Sequence, residues 1–229
     1  MREKYEAIIL EDHNFSESHE IEHALWHLHY KRIEEFRARM RSAALAASTN
    51  IPSQGGKSVV RRDQIHKIRS IFKSFLSEAT GFYHELILKI KARYRFSVDY
   101  FSHHGEDYLG SLEDKTKSVD LRKAQVSCHR CLIYLGDLGR YKELYGKRES
   151  SSCGFSVAAS YYVQAASLWP SSGNPHYQLA ILATYMGDEL GAVYRYFRSL
   201  AVELPFSTAR DNLIIIFDKN RQHYSQLLP

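Results

Sequence analysis

His19-Glu20-Ile21-Glu22-His23 has the H-E-x-x-H spacing. In zinc hydrolases that spacing puts two His one helical turn apart on the metal, with the Glu activating a water. Here a helical projection turns His19 and His23 away from the apolar stripe of Ile21, Leu25 and Leu28, with His27 and Glu22 on the same polar side. No third ligand motif follows at short range, so the expectation is a hydrated face rather than a metal centre. Cys128-His129-Arg130-Cys131 is a C-x-x-C without the second pair that a zinc ribbon needs. A redox pair would open a helix, where the N-terminus lowers the thiol pKa. These two lie inside an apolar helical stripe, as small core residues would. Cys153 stands alone in a loop.

The third chemistry is electrostatic. Lys31, Arg32, Arg37, Arg39 and Arg41 crowd one helical segment, and Arg140 precedes Tyr141 on another. Arg140 projects half a turn from its helix's apolar stripe, on the face of Ile133 and Gly136, and Gly136 leaves a notch one turn earlier. A guanidinium beside a notch suits an anion, because Arg holds phosphate through two parallel hydrogen bonds. From periodicity alone a solvated surface Arg is the better fit.

Helices must position these groups. Ile21, Leu25, Leu28, Phe36 and Met40 mark a helix over about 17–47, with Ser16 or Ser18 as its cap after a polar turn at 12–18. Ile65, Ile68, Phe72, Phe75, Ala79, Phe82, Leu86 and Ile90 mark a second over 60–94. Leu121, Ala124, Cys128, Cys131, Leu135 and Leu138 mark a third over 120–145. Polar residues 97–119 read as a mobile surface loop.

Four shorter helices follow in 155–221. Ala158, Tyr162 and Ala165 recur 34 residues later as Ala192, Tyr196 and Ser199. That small-large-small pattern marks tetratricopeptide-type helix hairpins, each burying its face against a neighbour. Pro170 and Pro205 close the two units. The fold class is all-α, in one domain over 1–229.

Composition narrows the class. With 229 residues, 44% hydrophobic and 13% aromatic, the chain can bury a sizeable core. No apolar run reaches the ~18 residues of a membrane span, and MREKYEAIIL lacks the apolar core of a signal peptide. Three Cys make no disulfide framework, so a reducing compartment is expected. A net charge of +5 suits an anionic partner, nucleic acid or phosphorylated protein, without choosing between them. Phe, Tyr and Arg interleave, but no RNA-recognition, KH or double-stranded-RNA signature is present.

Several longer stretches carry a resemblance: EHALWHLHYKRIEEF, FLSEATGFYHEL, CHRCLIYLGDLGRY, GNPHYQLAILATY, YRYFRSLAVELPF and ARDNLI. Together they resemble the N-terminal region of the Est-one/SMG-seven family, adaptors of nonsense-mediated mRNA decay and of telomerase, in its plant-type branch. The resemblance implies a 14-3-3-like right-handed helical array that binds phosphoserine or phosphothreonine peptides without catalysis or cofactor. The implied partner is the phosphorylated up-frameshift RNA helicase, in a cytoplasmic and nuclear setting. The telomerase-like branch implies an RNA-contacting scaffold, or contact with a telomerase ribonucleoprotein, as the alternative.

By the same resemblance Lys31 of the Trp26–Lys31 stretch and Arg140 of the L-G-D-x-x-R-Y stretch hold phosphate, with Tyr141 beside them. Asn212 of Arg210-Asp211-Asn212-Leu213 holds the peptide backbone. Two positions depart from the pattern. Tyr177 replaces an Asn of many relatives, and Ala38 stands where 14-3-3 proteins carry a second pocket Arg, with Arg37 and Arg39 out of register. Full-length members of this family continue into a helical-hairpin domain and a low-complexity tail.

Overall fold

The computed structural model describes residues 1–48, 55–94, 112–146 and 154–227. Helices occupy nearly all of them: α1 (Arg2–Glu11), α2 (His13–Ser18), α3 (Ile21–Ser48), α4 (Gly55–Tyr94), α5 (Leu112–Gly146), α6 (Ser156–Leu168), α7 (Asn174–Met186), α8 (Glu189–Leu200) and α9 (Thr208–Leu227). Among the described residues the one β-type contact is an isolated bridge between Ser172 and Leu204, and no helix is long and apolar enough to cross a membrane.

The first core joins α1, α3, α4 and α5. Leu25, Ile33 and Phe36 of α3 meet Phe72, Leu76, Tyr83, Leu86 and Ile90 of α4 and Ala124, Cys128, Leu135 and Leu138 of α5. Spacing at threes and fours lays each set on one face, and burying each Leu or Phe contributes about 2 kcal/mol. The buried stripe of α3 differs from its sequence expectation. It includes Glu22, His29 and Ile33, whereas Leu28 is only half-buried. Polar groups enter the core because partners await them. The His29 ring nitrogen meets the Leu25 carbonyl at 3.1 Å and the Tyr83 hydroxyl at 3.2 Å.

The repeat half builds two smaller cores in succession. Ala158, Tyr162 and Ala165 of α6 pack with Ile133 of α5 and with Leu179 and Leu182 of α7. Ala192 and Tyr196 of α8 pack with Ala180 and Ala183 of α7 and with Ala209 and Leu213 of α9. All six residues of the 34-residue repeat are at most 2% exposed, so α6 and α8 are equivalent helices. A short turn joins α7 to α8. Gly187 closes α7 at φ 73°, a left-handed conformation open to Gly, and the Asp188 carboxylate caps α8 by accepting the Gly191 N–H at 2.9 Å. The loops beyond α6 and α8 zip together through Gly173 N–H to Leu204 O and Leu204 N–H to Ser171 O, both 2.9 Å.

Several helix ends depart from the sequence expectation. Residues 12–18 form α2, capped by the Asp12 carboxylate on the Phe15 N–H, rather than a polar turn. Ser16 is buried within α2 and Ser18 ends it, so neither caps α3. α5 begins at Leu112, eight residues before its expected start, which takes 112–119 out of the expected loop. The rest of that loop, 97–111, lies outside the described residues, as does Cys153.

Candidate functional site

Trp26 sets the register between the two basic helices. Its ring lies 4.7 Å from Tyr134 of α5 at an interplanar angle of 5°, and 6.1 Å from Tyr83 of α4. One turn further along α3 come Tyr30 and Lys31. Two turns further along α5 come Arg140 and Tyr141. A second tie holds the same pair of helices. Glu22 of α3, 3% exposed, accepts from Arg130 Nη1 at 2.6 Å and from the Ser127 hydroxyl, which also meets His13 Nε2 at 2.8 Å.

Two guanidiniums converge on the Tyr141 ring. Arg140 lies 5.5 Å from its centroid and Arg37 lies 5.7 Å from it. Tyr30 lies within electrostatic reach of both. Its pKa is raised by burial first and Glu34 next, with Arg37 and Arg140 acting the other way. Arg37 therefore lies over the Tyr141 ring with Arg140, although it is out of register with the motif. Its Nε donates to the Tyr145 hydroxyl at 2.8 Å, its Nη1 to Glu34. Those two bonds outweigh burial and keep it protonated.

Arg140 is more enclosed than a surface cation. Its side chain is 14% exposed, and Nη2 donates to Asp137 Oδ1 at 2.6 Å. The same carboxylate oxygen accepts the Tyr162 hydroxyl at 2.7 Å. Burial raises the Asp137 pKa, and Arg140 and that hydroxyl bond oppose the rise. The Arg140 Nε is buried without a partner. The notch expected at Gly136 is filled. A Cβ there would clash with Cε1, Cδ1 and Cζ of the Tyr162 ring. Glycine at 136 serves the α5–α6 contact, and that contact brings the Tyr162 hydroxyl to Asp137.

Lys31 is exposed and makes no ion pair among the described residues. Asp137 offsets Arg140 and Glu34 offsets Arg37, whereas Lys31 has no such carboxylate among the described residues. Asn212 is half-buried on α9. Its amide nitrogen donates to the Tyr196 hydroxyl at 3.1 Å and the Tyr177 hydroxyl at 3.4 Å. Tyr177, the departure from the pattern, packs 4.5 Å from Phe206 and 5.8 Å from Tyr196, so it braces Asn212. Tyr185 lies between the two ends of the site: 53% exposed, it lies within electrostatic reach of both Arg140 and Tyr196. These side chains stand on α3, α5, α7 and α9.

The other spacings resolve differently. α2 ends at Ser18 and α3 begins at Ile21, with Glu20 at φ 51° between them, so His19 and His23 do not share a helix. His19 stacks on Phe15 at 3.9 Å. Glu22, expected on the hydrated side, is buried and committed to Arg130. Cys128 and Cys131 are each 1% exposed, and burial pushes the Cys128 thiol up to about 12 and the Cys131 thiol also upward. They are inert core residues at neutral pH.

The fold and the site define a class first: a helical-repeat protein that lines one face with aromatic side chains and partly neutralised arginines. A sequence profile described as telomerase activating protein Est1 matches residues 20–146, and one described as Est1 DNA/RNA binding domain matches residues 158–229. The chain is 56% identical over 227 residues to nonsense-mediated mRNA decay factor SMG7 of Arabidopsis thaliana, covering 99% of this chain and 21% of that protein. It is 29% identical to telomerase-binding protein EST1A of Danio rerio, covering 97% of this chain and 13% of that protein. A crystal structure of Est1 and Cdc13 superposes with a TM-score of 0.69 at 21% identity, over 99% of this chain and 44% of that one. The chain belongs to the Est1/SMG7 family, in its plant-type branch, and spans about a fifth of the length of the Arabidopsis relative.

Proposed function

We propose that this chain is a phosphopeptide-binding adaptor module with a 14-3-3-like concave groove, working in nonsense-mediated mRNA decay. Its target is a phosphoserine or phosphothreonine segment of an up-frameshift RNA helicase. The observation that carries the reading is the convergence of Arg37 and Arg140 on the Tyr141 ring, with Lys31 exposed on the same helix as Arg37. The identity with SMG7 supports the pathway.

A phosphate brings nearly two negative charges and three acceptor oxygens. Lys31 meets it as a point charge. Arg140 has N–H donors beyond the one that Asp137 takes, and the Tyr141 hydroxyl adds another. Each charge-assisted bond contributes about 1.5–3 kcal/mol. Asn212, its nitrogen held by two tyrosine hydroxyls, offers Oδ1 to a peptide N–H. Arg37 does the work expected of the missing Arg at Ala38. No step is catalytic.

The alternative is an RNA-contacting scaffold, favoured by the profile description over 158–229. Charge weighs against it there, since that segment has five Lys and Arg against five Asp and Glu. RNA affinity depends on neutralising phosphates.

The test is fluorescence anisotropy of a labelled peptide with and without phosphate on its Ser. The phosphorylated form is expected to bind the parent chain, and Lys31→Glu to weaken it more than about tenfold, or 1.4 kcal/mol. Equal binding of the two peptides would overturn the reading.

A further inference from the structure

We propose that the cavity where α6, α7 and α8 meet is a second ligand site, which takes an anionic side chain, phosphorylated or carboxylate, of a peptide whose neighbouring residue is aliphatic. The cavity holds about 280 Å³ and shares no residue with the groove of Arg140 and Asn212. It opens between α6 and α8, the equivalent helices of the repeat, whereas the groove residues belong to α3, α5, α7 and α9.

Charge is the first argument. Arg195 and Arg198 stand one turn apart on α8, and both line the cavity. Neither has a carboxylate partner among the described residues. Of the acids nearby, Asp188 caps α8 and Glu203 accepts the Ser171 hydroxyl at 2.8 Å, while Glu189 stands in the exposed first turn of α8. His176, 8% exposed, lines the same cavity and lies 3.4 Å from an Arg195 Nη1 through its Nδ1. A guanidinium only donates, so that nitrogen is the acceptor and the imidazole is neutral. Burial first, then Arg195 and Arg198, lower the His176 pKa, which places both cations within reach of one point. An anion there meets two guanidiniums with no competing carboxylate.

Shape is the second argument. Val163, Leu179 and Pro170 form an aliphatic wall beside the cations. A phosphate or carboxylate can reach the guanidiniums while an adjacent Leu or Val covers the wall. A nucleic-acid strand fits less well, because no aromatic platform lines the cavity and the segment 158–229 carries no net charge.

The test uses the full chain carrying Lys31→Glu, which disables the proposed groove without touching this cavity. Three labelled peptides share a Leu next to a central phosphoserine, Glu or Ser. The phosphoserine peptide, the Glu peptide or both are expected to bind, the two arms separating phosphate from carboxylate, and the Ser peptide is expected not to. Arg195→Gln with Arg198→Gln should weaken binding at least about tenfold. Methyl resonances of Val163 and Leu179 should shift on titration. Unchanged affinity in the double variant, equal binding of the Ser peptide, or shifts confined to the Tyr141 region would overturn the proposal. So would binding of a uridine oligonucleotide with no peptide binding.

Discussion

Arg140 shows how far a side chain's role depends on its neighbours. Its charge is offset by Asp137, and both groups are nearly enclosed. Arg140→Ala would leave the carboxylate buried with only the Tyr162 hydroxyl. The expected cost is about 3 kcal/mol of stability, measured by urea unfolding. Loss of binding in that variant would therefore mix unfolding with loss of the ligand contact. Lys31 has no such debt, which makes it the cleaner probe. An Arg140→Ala protein as stable as the parent would show that Asp137 does not depend on its cation. Two glycines make a second contrast. Gly81 of α4 is exposed, with nothing near a built Cβ, so Gly81→Ala should raise stability by about 0.5–1 kcal/mol through helix propensity. Gly136→Ala gains the same propensity but drives a methyl into the Tyr162 ring, so it should lower the melting temperature. Thermal scans of both variants decide the matter, and an increase for Gly136→Ala would mean the α5–α6 contact can give.

Helices are held in register by pairs of ties, and one of them is sensitive to pH. His129 of α5 donates from Nδ1 to the Ala165 carbonyl of α6 at 2.9 Å, and its Nε2 accepts from the Ser172 hydroxyl at 3.2 Å. Burial, reinforced by Arg130, lowers its pKa from 6.5 to about 4. The unfolded chain takes up a proton near pH 6.5 that the folded chain refuses until about pH 4. Stability from this group is complete above pH 6.5 and is lost as pH falls toward 4, on the order of 3 kcal/mol. His129→Asn keeps a donor near the Nδ1 position and cannot titrate. Its unfolding free energy should fall less steeply between pH 6.5 and 4 than the parent's, and equal slopes would remove His129 from the account. Trp26 is the matching tie between α3 and α5. Trp26→Ala loses the stack on Tyr134 and should cost about 3 kcal/mol.

At the scale of the molecule, ligand charge governs the outcome. Phosphoserine passes from one negative charge to nearly two as pH rises through about 6. Affinity for the phosphopeptide should rise over that range, while a Glu peptide should show no such rise. Arg37 and Arg140 stay charged throughout. The Tyr141 hydroxyl is pushed up to about 12, by burial first, and does not ionise there. A flat profile would mean that phosphate charge does not drive binding.

The apolar periodicities of α4 and α5 and the 34-residue repeat were legible in the sequence, because helical spacing alone assigns Phe72, Leu86, Cys128, Leu138, Tyr162 and Tyr196 to buried faces. The quoted motifs also pointed to the family. Partners in space were not legible. Periodicity placed Glu22 with the solvent-facing groups, since nothing local announces that Arg130 and Ser127, more than a hundred residues away, receive it. It left Arg37 out of register with the phosphate motif, whereas α3 and α5 pack so that Arg37 reaches Tyr141 and Tyr145. It read Gly136 as open space, which Tyr162 fills from a helix that sequence alone does not dock. Local spacing determines which face of a helix is apolar. Only tertiary packing decides which charges are neutralised and which remain for a ligand, because an ion pair depends on distances that helix docking sets.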